Sequence, residues 1–453
     1  MAAHSRAAAT YHFGFPVESR IAWGMRGSFF VVFVRTLVGT VWMALLIAQG
    51  GYFMAVLLNC IIGKPFMNMH NPIPKSSDIT IQQLIGVLIY FFATMPLMLI
   101  RPTKVTILYT IKSIVLPPVV IGLFVFCMLQ GRGTTTGSFA SKPLTGTALA
   151  WAMLNGINAT MGKTASNSIN QPDLARYAQT RNAPLWSQLI ALPVGNTLCA
   201  TLGIFATSAM KQRWNLPKAI WNPWDLSNFI LVHYWSAGTR AGIAVVSLGF
   251  IFSIMASNLG VNVIPWGADV STFLPRFLSI RRGMFVGYCI AICICPWKVL
   301  TSATSFLRFL GGYSIFLGPF LGIALTDYLI VRKGNVFVED LYTSNPRGRY
   351  WYFHGLNWRA AAAYVISVIL PIPGFVSLFG ISVPMAWLRV YQVGWLLGCT
   401  LSSVLYFAFS FIKDQTKEER KMRFEAVADE VYIEGSGSDD MESAPPVVFT
   451  GKE

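Results

Sequence analysis

Ten apolar stretches, each long enough to cross a bilayer, take up most of this 453-residue chain. A water-soluble core does not need repeated unbroken runs of that length. Hydrocarbon about 30 Å thick does, because it fixes a spanning helix at about 20 residues. The runs fall at 29–58, 83–100, 105–129, 147–170, 184–209, 240–263, 284–301, 307–331, 360–380 and 390–412. They are continuous and do not alternate, which implies helices rather than barrel strands. Only 12% of the residues are charged and 54% are hydrophobic, against about 25% charged in an ordinary soluble domain. The chain therefore reads as an all-α membrane protein. Residues 1–28 form a cytoplasmic segment, 29–412 the transmembrane domain, and 413–453 a cytoplasmic tail whose acidic, Gly/Ser/Pro-rich end is expected to be disordered.

The net charge of +16 is explained by topology rather than by a nucleic-acid partner. An even number of spans returns both termini to one side. With that side taken as cytoplasmic, the inside segments collect most of the basic residues, among them Arg20, Arg26, Arg176, Arg281, Arg332 and Lys333. The outside loops hold fewer, such as Lys64, Lys75, Lys211 and Lys218, as the positive-inside rule requires. Seven cysteines show no paired metal spacing and read as small buried hydrophobes. There is no Ser/His/Asp set, phosphate loop or His/Cys cluster, so neither an enzyme nor a metal or cofactor site is expected. In the tail, Lys417 and Lys421 are candidate modification sites for ubiquitination or trafficking machinery, or simply part of a solvated segment.

Polar groups inside apolar runs are costly and tend to be functional. The fourth span, LNGINATMGKTASNSINQPDLARYA, carries Gly156, Asn158, Thr160, Gly162, Lys163, Thr164, Ser166 and Asn170 before Pro172. A helix break is expected there, with freed backbone groups lining a cavity. Lys163 either faces a substrate path or snorkels to the surface. In the sixth span Asn258 and Asn262 lie four apart on one face, with Ser253 and Ser257 on an adjacent one. Asparagine offers donors and an acceptor to an amide edge, and serine oxygens suit a small cation; interhelical bonding is the alternative. Trp42 in the first span offers a face for stacking, or packs in the core. Asp173 and Asp269 are expected to be structural, pairing with Arg176 or other basic loop residues, and Asp327 is a candidate proton-linked carboxylate.

The motifs YHFGFPVESR (11–20), NSINQPDLARYA (167–178), WNPWD (221–225), SNLGVNVIPWGADVSTFLPRFLSIRRG (257–283), CPWK (295–298), FLGGYSIFLGPFLGIALTDYLIVRKG (309–334) and NWRAAAAY (357–364) occur in this order. They resemble the nucleobase–cation symporter family, in particular its fungal uracil, uridine and allantoin permeases. The resemblance implies a five-plus-five inverted-repeat transporter fold with two extra C-terminal helices. It also implies that about 10 of 12 helices are present, since the YHFGFP motif normally follows the second. By the same resemblance Trp42 stacks on the substrate ring, Gly162 and Lys163 supply the substrate contact of the broken helix, and Asn262 hydrogen-bonds the substrate. Ser253 and Ser257 mark the candidate cation site, where Ala256 replaces a hydroxyl residue and makes a proton the expected coupling ion rather than sodium. Leu46 stands where the family reads the substrate amide with glutamine. The expected function is thus secondary transport of a planar nitrogenous heterocycle across the plasma membrane. A truncated, transport-inactive member and a thiamine or nicotinamide riboside type permease are the alternatives.

Overall fold

A computed structural model describes residues 1–100, 104–131, 144–343, 345–412 and 416–429. Residues 101–103 and 132–143, which carry the basic residues Arg101, Arg132 and Lys142, and the tail beyond residue 429 lie outside the described residues. The described chain is built from helices: α1 (Ala2–Tyr11), α2 (Phe15–Trp23), α3 (Gly27–Ile62), α4 (Ile81–Thr94), α5 (Val105–Gln130), α6 (Gly146–Ala175), α7 (Leu192–Arg213), α8 (Pro223–His233), α9 (Ala237–Asn258), α10 (Ile264–Phe273), α11 (Ile280–Cys293), α12 (Ala303–Leu325), α13 (Trp358–Ile369), α14 (Met385–Gln392) and α15 (Gly394–Ser410). A single π-type turn, Leu259–Val263, joins α9 to α10.

Helix α3 is the organising element. At 1.5 Å per residue its length is about 54 Å, more than the hydrocarbon needs, and it packs on α4, α9 and α11. Two apolar cores flank it. The larger gathers Met43, Ile47, Phe53, Tyr90, Val263 and Tyr288. The second gathers Phe15, Trp23, Val31, Leu317, Phe320 and Tyr364. Trp42 packs against both, so it sits at their seam. Large apolar side chains also face outward, with Phe33 53%, Phe92 63% and Ile114 69% exposed. In water such a surface would be an aggregation hazard, and in lipid it costs nothing.

Three expectations are corrected. By length and apolarity six helices qualify to cross a membrane, or eight if two pairs bent by 49° and 74° each form one span, so ten is not reached among the described residues. The fourth expected span is too polar to qualify. The seventh is interrupted after α11 by Cys295, whose φ of 52° starts a separate turn at Pro296–Leu300. Helix α6, expected to break near Gly156 and Gly162, runs unbroken. Its hydroxyls bond back into its own carbonyls, Thr160 to Gly156 at 2.9 Å, Thr164 to Thr160 at 2.8 Å and Ser168 to Thr164 at 2.9 Å. The polar residues are satisfied along the helix and do not open it. Finally, Thr416–Asp429 is no free tail: it packs on the body with Glu419 and Glu425 buried.

Candidate functional site

The seam around Trp42 is lined from four helices. The Trp42 ring meets Phe306, Phe309 and Tyr313 of α12 edge-on, with centroids 6.2, 6.0 and 6.3 Å away. This is the arrangement the aromatic quadrupole favours. The Tyr313 hydroxyl donates to the Gly162 carbonyl at 2.5 Å. Gly162 has no room for a side chain, because a Cβ there would sit 2.8 Å from the Leu310 carbonyl. Across the seam Asn262 donates to Asn258 Oδ1 at 2.9 Å, and Asn258 donates to the Met43 carbonyl at 3.1 Å. Both asparagines are buried. Asn170 of α6 closes the ring by donating to the Val261 carbonyl in the π-type turn, 2.7 Å away.

The structure thus links Trp42, Gly162 and Asn262 through Tyr313, Asn258 and the main chain. Lys163 is not brought into this group. It is exposed, and its Nζ lies 3.4 Å from Asn196 Oδ1 on α7. Ser253 and Ser257 lie one turn apart on α9; the Ser257 hydroxyl donates to the Ser253 carbonyl at 2.8 Å and accepts from Lys112 Nζ of α5. Leu46, one turn after Trp42, is half-buried.

A second constellation lies where the sequence motifs converge. Arg35 of α3 is buried and donates to two carboxylates: Nη1 to Asp173 Oδ2 at 2.6 Å and Nε to Asp269 Oδ2 at 2.9 Å, with Nη2 also paired to Asp269. Its guanidinium lies 4.1 Å from the centroid of Phe15. The Phe15 amide donates to Asp173 Oδ1 at 3.2 Å, and Gly14 leaves space for that carboxylate, since a Cβ there would lie 2.8 Å from it. The expected structural role of Asp173 and Asp269 is met, with Arg35 rather than Arg176 as the partner. One guanidinium between two carboxylates is a satisfied buried ion network, and removing the arginine alone would leave uncompensated charge costing about 3–5 kcal/mol. Pro172 has no N–H, which releases the carbonyl of Ser168 four residues back. His4 Nδ1 donates to it at 2.7 Å. Asp327 accepts from Arg332 Nε at 3.0 Å and from the Tyr406 hydroxyl at 2.6 Å.

Two residues escaped the sequence reading. Arg35 sits about a quarter of the way along the apolar helix α3, where a cation near a span end also satisfies the positive-inside rule. Lys112 is a lone lysine in the third span, and the argument that singled out Lys163 applies to it equally.

An apolar helical body with a buried polar seam at mid-chain is the architecture of a multi-pass membrane permease. A family model described as permease for cytosine/purines, uracil, thiamine, allantoin matches residues 1–398, and the chain belongs to that family. It is a family of permeases, not of enzymes. The chain is 33% identical over 397 residues to an uncharacterised permease of Schizosaccharomyces pombe, covering 88% of this chain and 67% of that one. It is 31% identical over 406 residues to the uridine permease of Saccharomyces cerevisiae, covering 89% and 63%. It thus spans about two thirds of the length of these relatives. The inward-facing conformation of Mhp1 is similar in fold, with a TM-score of 0.68 at 17% identity over 94% of this chain and 84% of that one. The closed, bromovinylhydantoin-bound form gives 0.64 at 16% identity over 92% and 84%.

Proposed function

We propose that the chain carries a planar nitrogenous heterocycle of the uracil, uridine or allantoin type across the plasma membrane, by proton symport, with both termini in the cytoplasm. The observation that carries this reading is the seam itself. The Trp42 ring packs where the two cores join, the buried amides Asn258 and Asn262 are tied to the carbonyl of its neighbour Met43, and a flat ligand with amide edges matches both kinds of group. Base–aromatic stacking is worth about 1–3 kcal/mol. In the proposal Trp42 and the α12 aromatics sandwich the ring, Asn262 reads an amide edge, and Lys163 swings from Asn196 to a polar edge. Membership in the family and the names of the relatives support the substrate class. Leu46 favours a second reading, a thiamine or nicotinamide riboside type solute, because a site lacking one amide reader discriminates less strongly for a substrate with that amide. Lys417 and Lys421 remain exposed on the docked tail segment, open to ubiquitination.

The test is uptake of labelled uracil, uridine, allantoin, thiamine and nicotinamide riboside by cells that lack their own carriers. Saturable uptake of one solute is expected, reduced about tenfold or more by Trp42→Ala, the loss of one stacking contact, and also lowered by Lys163→Ala. No uptake of any solute, or unchanged uptake in Trp42→Ala, would overturn the reading.

A further inference from the structure

His4 of α1 and Glu18 of α2 stand apart from the seam around Trp42, and both are buried, 3% and 7% exposed. The tautomer of His4 follows from its neighbour. Its Nδ1 lies 2.7 Å from the Ser168 carbonyl of α6, and a carbonyl can only accept, so Nδ1 carries the hydrogen. In the neutral ring Nε2 is then a bare acceptor. It has no hydrogen-bond partner among the described residues, and neither has Glu18 Oε2. What faces Nε2 is the Glu18 carboxyl, with Oε1 3.5 Å away. A carboxylate has no hydrogen to give that acceptor, whereas a carboxylic acid has one. A buried acceptor left without a donor carries its full desolvation cost.

We propose that Glu18 and His4 form a proton-binding site, in which Glu18 is a carboxylic acid at neutral pH and its hydroxyl closes on His4 Nε2. The surroundings favour this over an ionised carboxyl. Burial and the like charge of Asp173 on α6 both oppose ionisation of Glu18. The opposing cation, Arg35 of α3, already serves Asp173 and Asp269. Burial also opposes an imidazolium at His4, with the Met1 amino group and Arg35 adding to it against Asp173. Beside the pair lies a cavity of about 20 Å³, lined by Glu18, Ser19, Trp23, Phe320 and Asp327 among others. One water needs about 10–15 Å³ by the same measure, and Glu18 Oε2 is an acceptor for it. Asp327, in the turn Thr326–Val331 after α12, is held by Arg332 and Tyr406, and its neighbour Tyr328 by Glu425. When water fills the cavity, the Glu18 hydroxyl gives its proton to that water and leaves a carboxylate facing Asp173. Helices α1 and α2 both pack on α6, the helix that carries Gly162, so loss of the proton loosens their hold on it. The inference rests on the transport reading only in taking this proton as the one moved with the solute; the protonation itself is a property of the fold.

Infrared spectra of the full chain in detergent at neutral pH are compared for the wild type, Glu18→Gln and Asp327→Asn. The wild type should show the carbonyl stretch of a protonated carboxyl, which Glu18→Gln loses and Asp327→Asn keeps. No such band in the wild type, or a Glu18→Gln protein that keeps it and loses carboxylate intensity instead, would overturn the assignment. Should Glu18→Gln not fold, His4→Leu takes its place. With the acceptor removed, the band should move in frequency, and a band that stays where it was would equally overturn the pairing. Uptake is scored separately, in vesicles with and without an inward proton gradient. The gradient should speed uptake by the wild type and lose that effect in Glu18→Gln; a variant that keeps the gradient dependence takes Glu18 out of the coupling. A wild type that carries no labelled uracil, uridine or allantoin removes the transport reading, while the infrared comparison still decides the proton on Glu18.

Discussion

At the scale of single residues, the buried pair His4 and Glu18 shows how burial sets charge. Burial pushes the His4 imidazole down to about 4, and it pushes the Glu18 carboxyl well above its usual range, with the nearby charge of Asp173 adding to the effect. His4 is therefore neutral near pH 7, and burial favours the protonated form of Glu18, with His4 Nε2 3.5 Å from Glu18 Oε1. The two act on stability with opposite signs. The folded state holds a proton on Glu18 that the unfolded chain has released, so Glu18 lowers stability as pH climbs above about 4.3, the ordinary glutamate value. The unfolded chain holds a proton on His4 that the folded state lacks, so His4 raises stability between about 4 and about 6.5. Glu18→Gln keeps the shape of the protonated carboxyl and cannot ionise. It should melt higher than the wild type at pH 8 and nearly the same at pH 4.5; a lower melting point at pH 8 would mean that Glu18 is ionised and paired. Residues such as Trp42 and Asn262 were legible in the sequence because a polar or aromatic group in an apolar run stands out by its cost. Arg35 was not, because a cation near a span end also satisfies the topology rule, and only the fold shows Asp173 and Asp269 converging on it from α6 and α10. Lys163 was legible as a cost but not as a direction: which face of α6 meets α7 depends on packing that the one-dimensional pattern does not contain.

Between elements, close approach depends on small residues. Where α3 crosses α4, a Cβ on Gly50 would meet the Tyr90 ring, one on Gly51 the backbone of Val87, and one on Gly86 the carbonyl of Gly51. Small residues of this kind let membrane helices pack backbone to backbone, where no hydrophobic drive exists between them. Gly86→Val should be the harshest of the simple substitutions, because the atoms it strikes belong to backbone and cannot rotate away. Overpacking of this kind costs about 1–3 kcal/mol. It should appear as a lower melting temperature in detergent, and Gly122→Val, a position with nothing within 4 Å, serves as the control that should leave the melt unchanged. The spans themselves were readable from apolar length alone, and every expected span contains helix. Their bends were not. Gly156, Gly162 and the polar residues around them pointed to a break in α6, yet the hydroxyls of Thr160, Thr164 and Ser168 each return to a carbonyl of their own helix. Among the departures from regularity are the π-type turns at Ser187–Ala191, Leu259–Val263 and Thr326–Val331 and the bends of 49° and 74° near the end of the chain.

On the scale of the whole molecule, the segment Thr416–Asp429 straps together parts that are far apart in sequence. Glu425 accepts from Arg6 Nε and Nη2 of α1 at 2.7 Å each, from Arg181 beyond α6 at 3.1 Å, and from the Tyr328 hydroxyl beyond α12 at 2.9 Å. Glu419 accepts from Arg332 at 3.1 Å and Arg349 at 2.7 Å. Burial alone would raise the Glu425 carboxyl, but the bonds from Arg6, Tyr328 and Arg181 outweigh it and hold the group below its usual value. A depressed acid contributes its stability at neutral pH and loses it as pH falls through the folded value, so the strap should loosen in acid. Hydrogen bonds to charged groups are worth about 1.5–3 kcal/mol, and the arginines here are 24% and 30% exposed, which places the net loss on truncation nearer about 2 kcal/mol once solvent screening is counted. Arg423 beside it is 75% exposed, so trypsin can cut there once the segment lifts. When opening is fast relative to cutting, cleavage tracks the open population, and about 1.4 kcal/mol is a tenfold change in it. Glu425→Ala should therefore be cleaved at Arg423 about tenfold faster or more, read by gel and mass spectrometry at neutral pH, and the wild type should approach that rate on acidification. Equal rates for the two proteins at neutral pH would show that the strap is held by its backbone amides, Glu425 N donating to the Lys333 carbonyl and Val427 N to the Asn335 side-chain Oδ1, and not by the buried carboxylate.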